Sequence, residues 1–216
     1  MIKQIILLFA PTILVFIGLS LLQNILITFF LFYGWLLFIP IITVFWKKTN
    51  RYQIRLLISR KSIIVGIVSG LICLVSIYGF VVIFQSIVLD IPQLQQLLKK
   101  WDFGGTKVIL LVLVLALINP ILEELYWREF TYGRISQKSG DVLAVMITAI
   151  FYSMYHLIVV MEIFSFPFNV IAVIPVFLAG IMWGIFRIRL GSITAPIISH
   201  CLADIGIMLV YWNIIL

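Results

Sequence analysis

From Gln4 to Trp46 the chain carries no charged side chain. As one helix those 43 residues would span about 64 Å, roughly twice the hydrocarbon thickness of a bilayer. The stretch is therefore expected to fold as two membrane-crossing helices, with a tight turn near Gln23-Asn24 and with Pro11 and Pro40 as kinks or boundaries. A closed barrel is the other way to satisfy backbone polar groups in lipid, but the alternating strands it needs are absent. The remaining sequence agrees: 64% of residues are apolar and 11% charged, against about half and about a quarter in a soluble domain. The expected fold class is all-α, a polytopic membrane bundle.

Five more apolar segments follow: 62–89, 108 to the Glu123-Glu124 stretch, 142–163, 170–186 and 193 to the C-terminus, for seven spans in all. Between the third and fourth, residues 90–107 read as a surface loop with a short amphipathic helix, Gln93 to Trp101. Gly180 and Gly184 form a small-xxx-small pattern that lets two helices approach closely. Residues 47–61 carry six positive charges and no negative one. Placing that loop in the cytoplasm puts twelve basic residues on its side and three on the other, with the N-terminus cytoplasmic. The net charge of +7 is thus a topology signal and not a sign of nucleic-acid binding. Lys3 before a long apolar run resembles a signal peptide, but the run is too long and a retained first helix is expected. Cys73 and Cys201 lie inside apolar segments and do not read as disulfide halves. The chain divides into an accessory half, 1–107, and a chemically equipped half, 108–216, within one membrane domain.

Apart from Glu162 at the very end of the fifth segment, the ionisable residues inside the spans are Glu123, Glu124, His156, His200 and Asp204, on three different segments. An ionised side chain at the bilayer centre costs about 2.5–3.5 kcal/mol on the mildest scale, so these positions mark function. Glu123 and Glu124 point about 100° apart on a helix and cannot do one job. Arg128 is four residues after Glu124, on the same face in the favourable acid-first order, so Glu124 is expected to be structural. Glu123 has no local partner and is the candidate general base. A helix ending near Arg128 would instead leave both acids solvated. His200 and Asp204, four apart, share one face. With the fourth span ending near Arg128, Glu123 lies toward the inner surface and His156 toward the outer one. A shared site then needs the fourth helix to end late or the 142–146 turn to project from the membrane.

No His-Glu-x-x-His and no Gly-x-Ser-x-Gly is present. Ser153, Ser199 and Cys201 lie close to a histidine in sequence, but only Ser153 is on a comparable face, which makes Ser–His or Cys–His chemistry weak. The remaining set can activate water by general base catalysis. It can equally hold a divalent metal with an open position.

Three patterns carry a resemblance: Glu123-Glu124-x-x-x-Arg128, then Tyr152-x-x-x-His156, then His200-x-x-x-Asp204. In this order they resemble the motifs of the CAAX protease and bacteriocin-processing family (the Abi family) of intramembrane proteases, over roughly residues 115–210. The resemblance implies a helical bundle around a water-accessible cavity and an endopeptidase acting on membrane-associated peptides. It implies that Glu123 and His156 activate water, that His200 and residue 204 stabilise the oxyanion, and that Glu124, Arg128 and Tyr152 support them. A glutamate mechanism and a zinc mechanism, the latter with Glu123, His156, His200 and Asp204 as ligands, both remain open. Where the family often has Asn, this chain has Asp204, and an ionised carboxylate cannot donate a hydrogen bond. Asp204 is then protonated, orients His200 or binds a metal. The alternative to a protease is a non-catalytic membrane protein of the same fold, a bacteriocin self-immunity factor or a scaffold for a sensor kinase. A small transporter ranks last, because the two halves do not match in polarity.

Overall fold

In the computed structural model, residues 2–47, 58–101, 103 and 107–216 are described, and among them there is no β-strand. Most of the positive 47–61 loop lies outside the described residues. The elements are α1 (Ile2–Val15), continued by a π-helical stretch Phe16–Leu21, then α2 (Ile25–Lys47), α3 (Arg60–Val88) and the short α4 (Ile91–Lys100). One long helix follows, built from α5 (Lys107–Leu113), a π-helical stretch Val114–Ile118, α6 (Asn119–Glu124), a second such stretch Leu125–Thr131, and α7 (Tyr132–Ser139). The rest is α8 (Asp141–Ile163), α9 (Phe168–Leu190) and α10 (Thr194–Val210), the last extended by Tyr211–Ile215. Seven of these helices are long and apolar enough to cross a membrane. The protein is a polytopic helical bundle, and side chains such as Phe30, Ile83 and Ile87 face outward for lipid.

The first two spans meet where the sequence places their turn. Gln23 adopts a positive φ of 48°, and Asn24 Oδ1 caps the next helix by accepting from the Ile27 amide at 3.0 Å. Pro11 and Pro40 both lie inside helices and end neither. The amphipathic segment forms α4 as expected and buries Leu94. Its Gln95 amide donates to the Ile215 carbonyl at 2.7 Å, and Lys100 Nζ donates to Gln23 Oε1 at 3.0 Å. The helix therefore ties the first hairpin turn to the C-terminus.

The fourth span departs from the expected boundary. The polar 131–141 segment does not end the helix, which runs on through Ser139 and turns at Gly140, where φ is 77°. Only glycine adopts such a conformation without strain. Counted from that turn, Glu123 lies 17 residues before and His156 16 residues after, which is about 25 Å and about 24 Å of helix rise. The two residues stand at comparable depth. The fourth helix ends late, and the turn falls at Gly140 itself, not at 142–146. The polar residues of α7 continue the helix because tertiary contacts hold them. Tyr132 donates its hydroxyl to Asp141 Oδ1 at 2.6 Å, and Ile135 packs with Ala144 and Val145.

Close helix approaches fix the site helices. A Cβ on Gly180 would sit 3.2 Å from Ala149 Cβ, and one on Gly184 only 2.7 Å from Val145 Cγ1. The small-xxx-small stripe thus seats α9 on α8, as its sequence pattern implies. Gly66 and Gly70 do the same for α3 against α10, facing Ala195, Ile198, Ser199 and Leu202. The first helices also reach the centre. Trp35 Nε1 donates to the Tyr126 hydroxyl at 2.8 Å, which in turn donates to the Leu7 carbonyl at 2.7 Å.

Candidate active site

The stretch from Asn119 to Thr131 is deeply enclosed. Glu123 is 2% exposed, Glu124 is fully buried and Arg128 is 1% exposed. Both carboxylates are inside protein and neither is wet, so the helix does not end at Arg128.

The i,i+4 pair forms as its spacing requires: Arg128 Nη1 lies 3.2 Å from Glu124 Oε1. The guanidinium also donates from Nη2 to the Gly180 carbonyl at 3.3 Å. It stands 4.4 Å from the centre of the Tyr152 ring and 5.2 Å from that of Trp183. A carbonyl, a carboxylate and two aromatic faces thus hold one buried positive charge.

Glu124 has a second partner that sequence spacing does not show. His200 Nδ1 lies 3.0 Å from Glu124 Oε1. A carboxylate oxygen accepts, so Nδ1 carries the proton and donates, which fixes the imidazole's tautomer and plane. Trp183 stacks on the same ring at 4.2 Å between centroids, and its indole N–H donates to Ser199 Oγ at 3.0 Å. His200 Nε2 then points into the cluster. It lies 3.7 Å from Glu123 Oε2, 3.6 Å from Asp204 Oδ2 and 3.4 Å from the Tyr152 hydroxyl. The two carboxylate separations exceed a direct hydrogen bond. Glu123 Oε2 has no hydrogen-bond partner within the protein and is free to accept one. The Tyr155 hydroxyl neighbours the Glu123 carboxylate without closing a hydrogen bond to it.

Asp204 is the less enclosed carboxylate, with 13% of its side chain exposed. Asn119 Nδ2 donates to its Oδ2 at 3.1 Å. His156 stands beside the cluster, its ring 4.5 Å from that of Tyr152 and 4.4 Å from that of Tyr155. Its Nδ1 lies 2.9 Å from the Tyr152 carbonyl, which can only accept, so Nδ1 donates and Nε2 carries the free lone pair. It is half-buried, more open than His200.

The structure therefore gathers Glu123, Glu124, Arg128, Tyr152, His200 and Asp204 in one connected network and sets His156 at its margin. Asn119, Tyr155 and Trp183 are additional members that the motifs do not name. Asn119 was legible in principle, since it precedes Glu123 by four residues and shares its face. Trp183 lay inside the Gly180–Gly184 stripe, where spacing speaks only of packing. Farther along, Arg187 donates twice to Glu129, at 2.8 and 3.2 Å. This pair closes the Gly140 end of the helix cluster and takes no part in the site. Among the described residues no three His, Cys, Asp or Glu groups are placed to hold one metal ion.

Residues 105–206 match the family model described as Rce1-like, type II CAAX prenyl endopeptidase Rce1-like. This is the family that the three motifs resemble, and the matched segment holds every site residue from Asn119 to Asp204. The match supports a membrane CAAX-protease kind of function. No curated protein and no solved structure matches the chain.

Proposed function

We propose that this protein is an intramembrane endopeptidase that hydrolyses a peptide bond of a membrane-associated substrate with water activated by Glu123. The observation that carries the proposal is the arrangement around Glu123. An enclosed carboxylate with an unpartnered oxygen faces an imidazole nitrogen at 3.7 Å, and that imidazole is locked by a carboxylate–guanidinium pair on its other side.

Glu123 accepts a proton from water, and the hydroxide attacks the scissile carbonyl carbon. The carbonyl π electrons move to oxygen, giving a tetrahedral oxyanion. Tyr152 and a protonated His200 Nε2 are the donors near that charge. The proton on Glu123 then passes to the departing amine nitrogen, the C–N bond breaks, and a carboxylic acid and an amine leave. Glu124 does no proton transfer in this scheme. It fixes the plane of the His200 ring by accepting from Nδ1–H. His156, with its Nε2 lone pair free, is the second acceptor for the attacking water. The substrate class is taken from the family description, a prenylated peptide with a C-terminal CAAX sequence. The membrane is of bacterial cytoplasmic type, with the N-terminus in the cytoplasm.

One observation favours a second reading. Glu123 and His200 are each only 2% exposed, so both are enclosed by protein. A non-catalytic protein of this fold, serving in self-immunity or as a sensor-kinase scaffold, needs the network and not the water. Purified protein in proteoliposomes, given an internally quenched peptide ending in a farnesylated CAAX sequence, separates the two. The protease reading expects cleavage by the wild type and none by Glu123→Gln. Equal rates from both, or cleavage by neither, would overturn it.

A further inference from the structure

We infer that Asn119 is a further catalytic residue, supplying a hydrogen bond to the oxyanion from the amide hydrogen that Asp204 leaves free. The inference rests on the hydrolytic reading of the site and adds a residue to it.

A side-chain amide nitrogen has two hydrogens, and an ionised carboxylate can only accept. The Asn119–Asp204 contact at 3.1 Å therefore fixes which end of the amide faces Asp204. It uses one hydrogen and leaves the other. Asn119 and Glu123 are four residues apart within the α-helical segment Asn119–Glu124, so they share a face with Cβ atoms about 5–6 Å apart. Both face α10, Asn119 through Asp204 and Glu123 through His200. A carbonyl whose carbon is attacked by water on Glu123 thus places its developing negative oxygen within reach of an amide already held in position. The other donors near that charge are the Tyr152 hydroxyl and a protonated His200 Nε2; Glu123, Glu124 and Asp204 can only accept when ionised, His200 Nδ1–H is committed to Glu124, and one Arg128 amino group is committed to Gly180. Asn119 and Asp204, at 8% and 13% exposure, are also less enclosed than Glu123 and Glu124, which suits contact with an incoming peptide. Asp204 acts here as the clamp that aims the amide.

The test uses the full-length protein in proteoliposomes with the quenched farnesylated peptide, with kcat and KM measured separately. Asn119→Ala is expected to lower kcat about 100-fold, the scale for one oxyanion donor, with KM changed less than about threefold. Asn119→Asp is expected to lose at least as much, having the same shape and no donor. Combining Asn119→Asp with Asp204→Asn returns an amide to the pair from the opposite helix and is expected to recover at least about tenfold over Asn119→Asp alone. A wild-type kcat in Asn119→Ala overturns the inference. So does a correctly folded swap variant that recovers nothing, and the swap also decides the case if Asn119→Ala fails to fold. If the wild type does not cleave, or cleaves no faster than Glu123→Gln, the protease reading has failed and the inference falls with it. Loss in Glu123→Gln with full activity in Asn119→Ala sinks the inference alone.

Discussion

Exchanging each of the two neighbouring carboxylates for its amide separates stability from chemistry. Glu124→Gln removes a charge that holds both Arg128 and His200, at 3.2 and 3.0 Å. Breaking a buried pair by removing one partner costs about 3–5 kcal/mol. Arg128 keeps the Gly180 carbonyl and the face of Tyr152, and the latter offsets about 1 kcal/mol, so a net loss of about 2–4 kcal/mol is expected. Glu123→Gln removes a carboxylate whose outer oxygen has no hydrogen-bond partner and whose nearest opposite group is 3.7 Å away. Its enclosed charge disappears and no hydrogen bond of that oxygen is broken, so the change in stability is expected to stay within about 1 kcal/mol. Activity runs the other way for Glu123, where loss of a general base costs about 100- to 10,000-fold. Unfolding of the purified variants in mixed micelles with increasing dodecyl sulfate reads the first quantity, and cleavage of the quenched peptide reads the second. If Glu123→Gln destabilises as much as Glu124→Gln, or keeps wild-type turnover, the division of labour between the two residues is wrong.

Other perturbations probe the packing, the metal question and the topology. Gly184→Leu should cost about 1–3 kcal/mol in the same unfolding assay, because its Cβ meets Val145 at 2.7 Å. Gly79→Ala, with nothing within 4 Å, should be neutral or stabilising by up to about 1 kcal/mol. Cleavage should survive exhaustive treatment with a chelator, and loss that zinc alone restores would establish a metal mechanism in place of the glutamate one. Single cysteines introduced at Lys138 and Lys100 should be labelled by an impermeant thiol reagent from opposite faces of sealed vesicles, Lys138 from the cytoplasmic side.

The seven spans were legible because an apolar run must bury or face lipid over a fixed length, a constraint that acts on each segment by itself. The turn at Gln23 and the α8–α9 stripe were legible for the same local reason. The late end of the fourth helix was not, since the polar residues of α7 look like a loop until Asp141 and Ala144 are seen beside them. The site was half legible. Spacing along one helix paired Glu124 with Arg128 and aligned His200 with Asp204. It could not show that Glu124 reaches across to His200, or that Asn119 meets Asp204, because these contacts join residues 76 and 85 positions apart.

The cost that makes the site visible in the sequence also explains its construction. Three carboxylates inside a membrane bundle need donors, and the protein supplies them from helices that otherwise have little polarity to offer. Each donor is shared or aimed. Arg128 serves Glu124 and the Gly180 carbonyl, His200 serves Glu124 with one nitrogen and faces Glu123 and Asp204 with the other, and Asn119 holds Asp204. One oxygen of Glu123 and one of Glu124 are left without a hydrogen-bond partner, and that of Glu123 is the one facing His200 Nε2. On the proposed hydrolytic reading, it is the position at which the attacking water would be held.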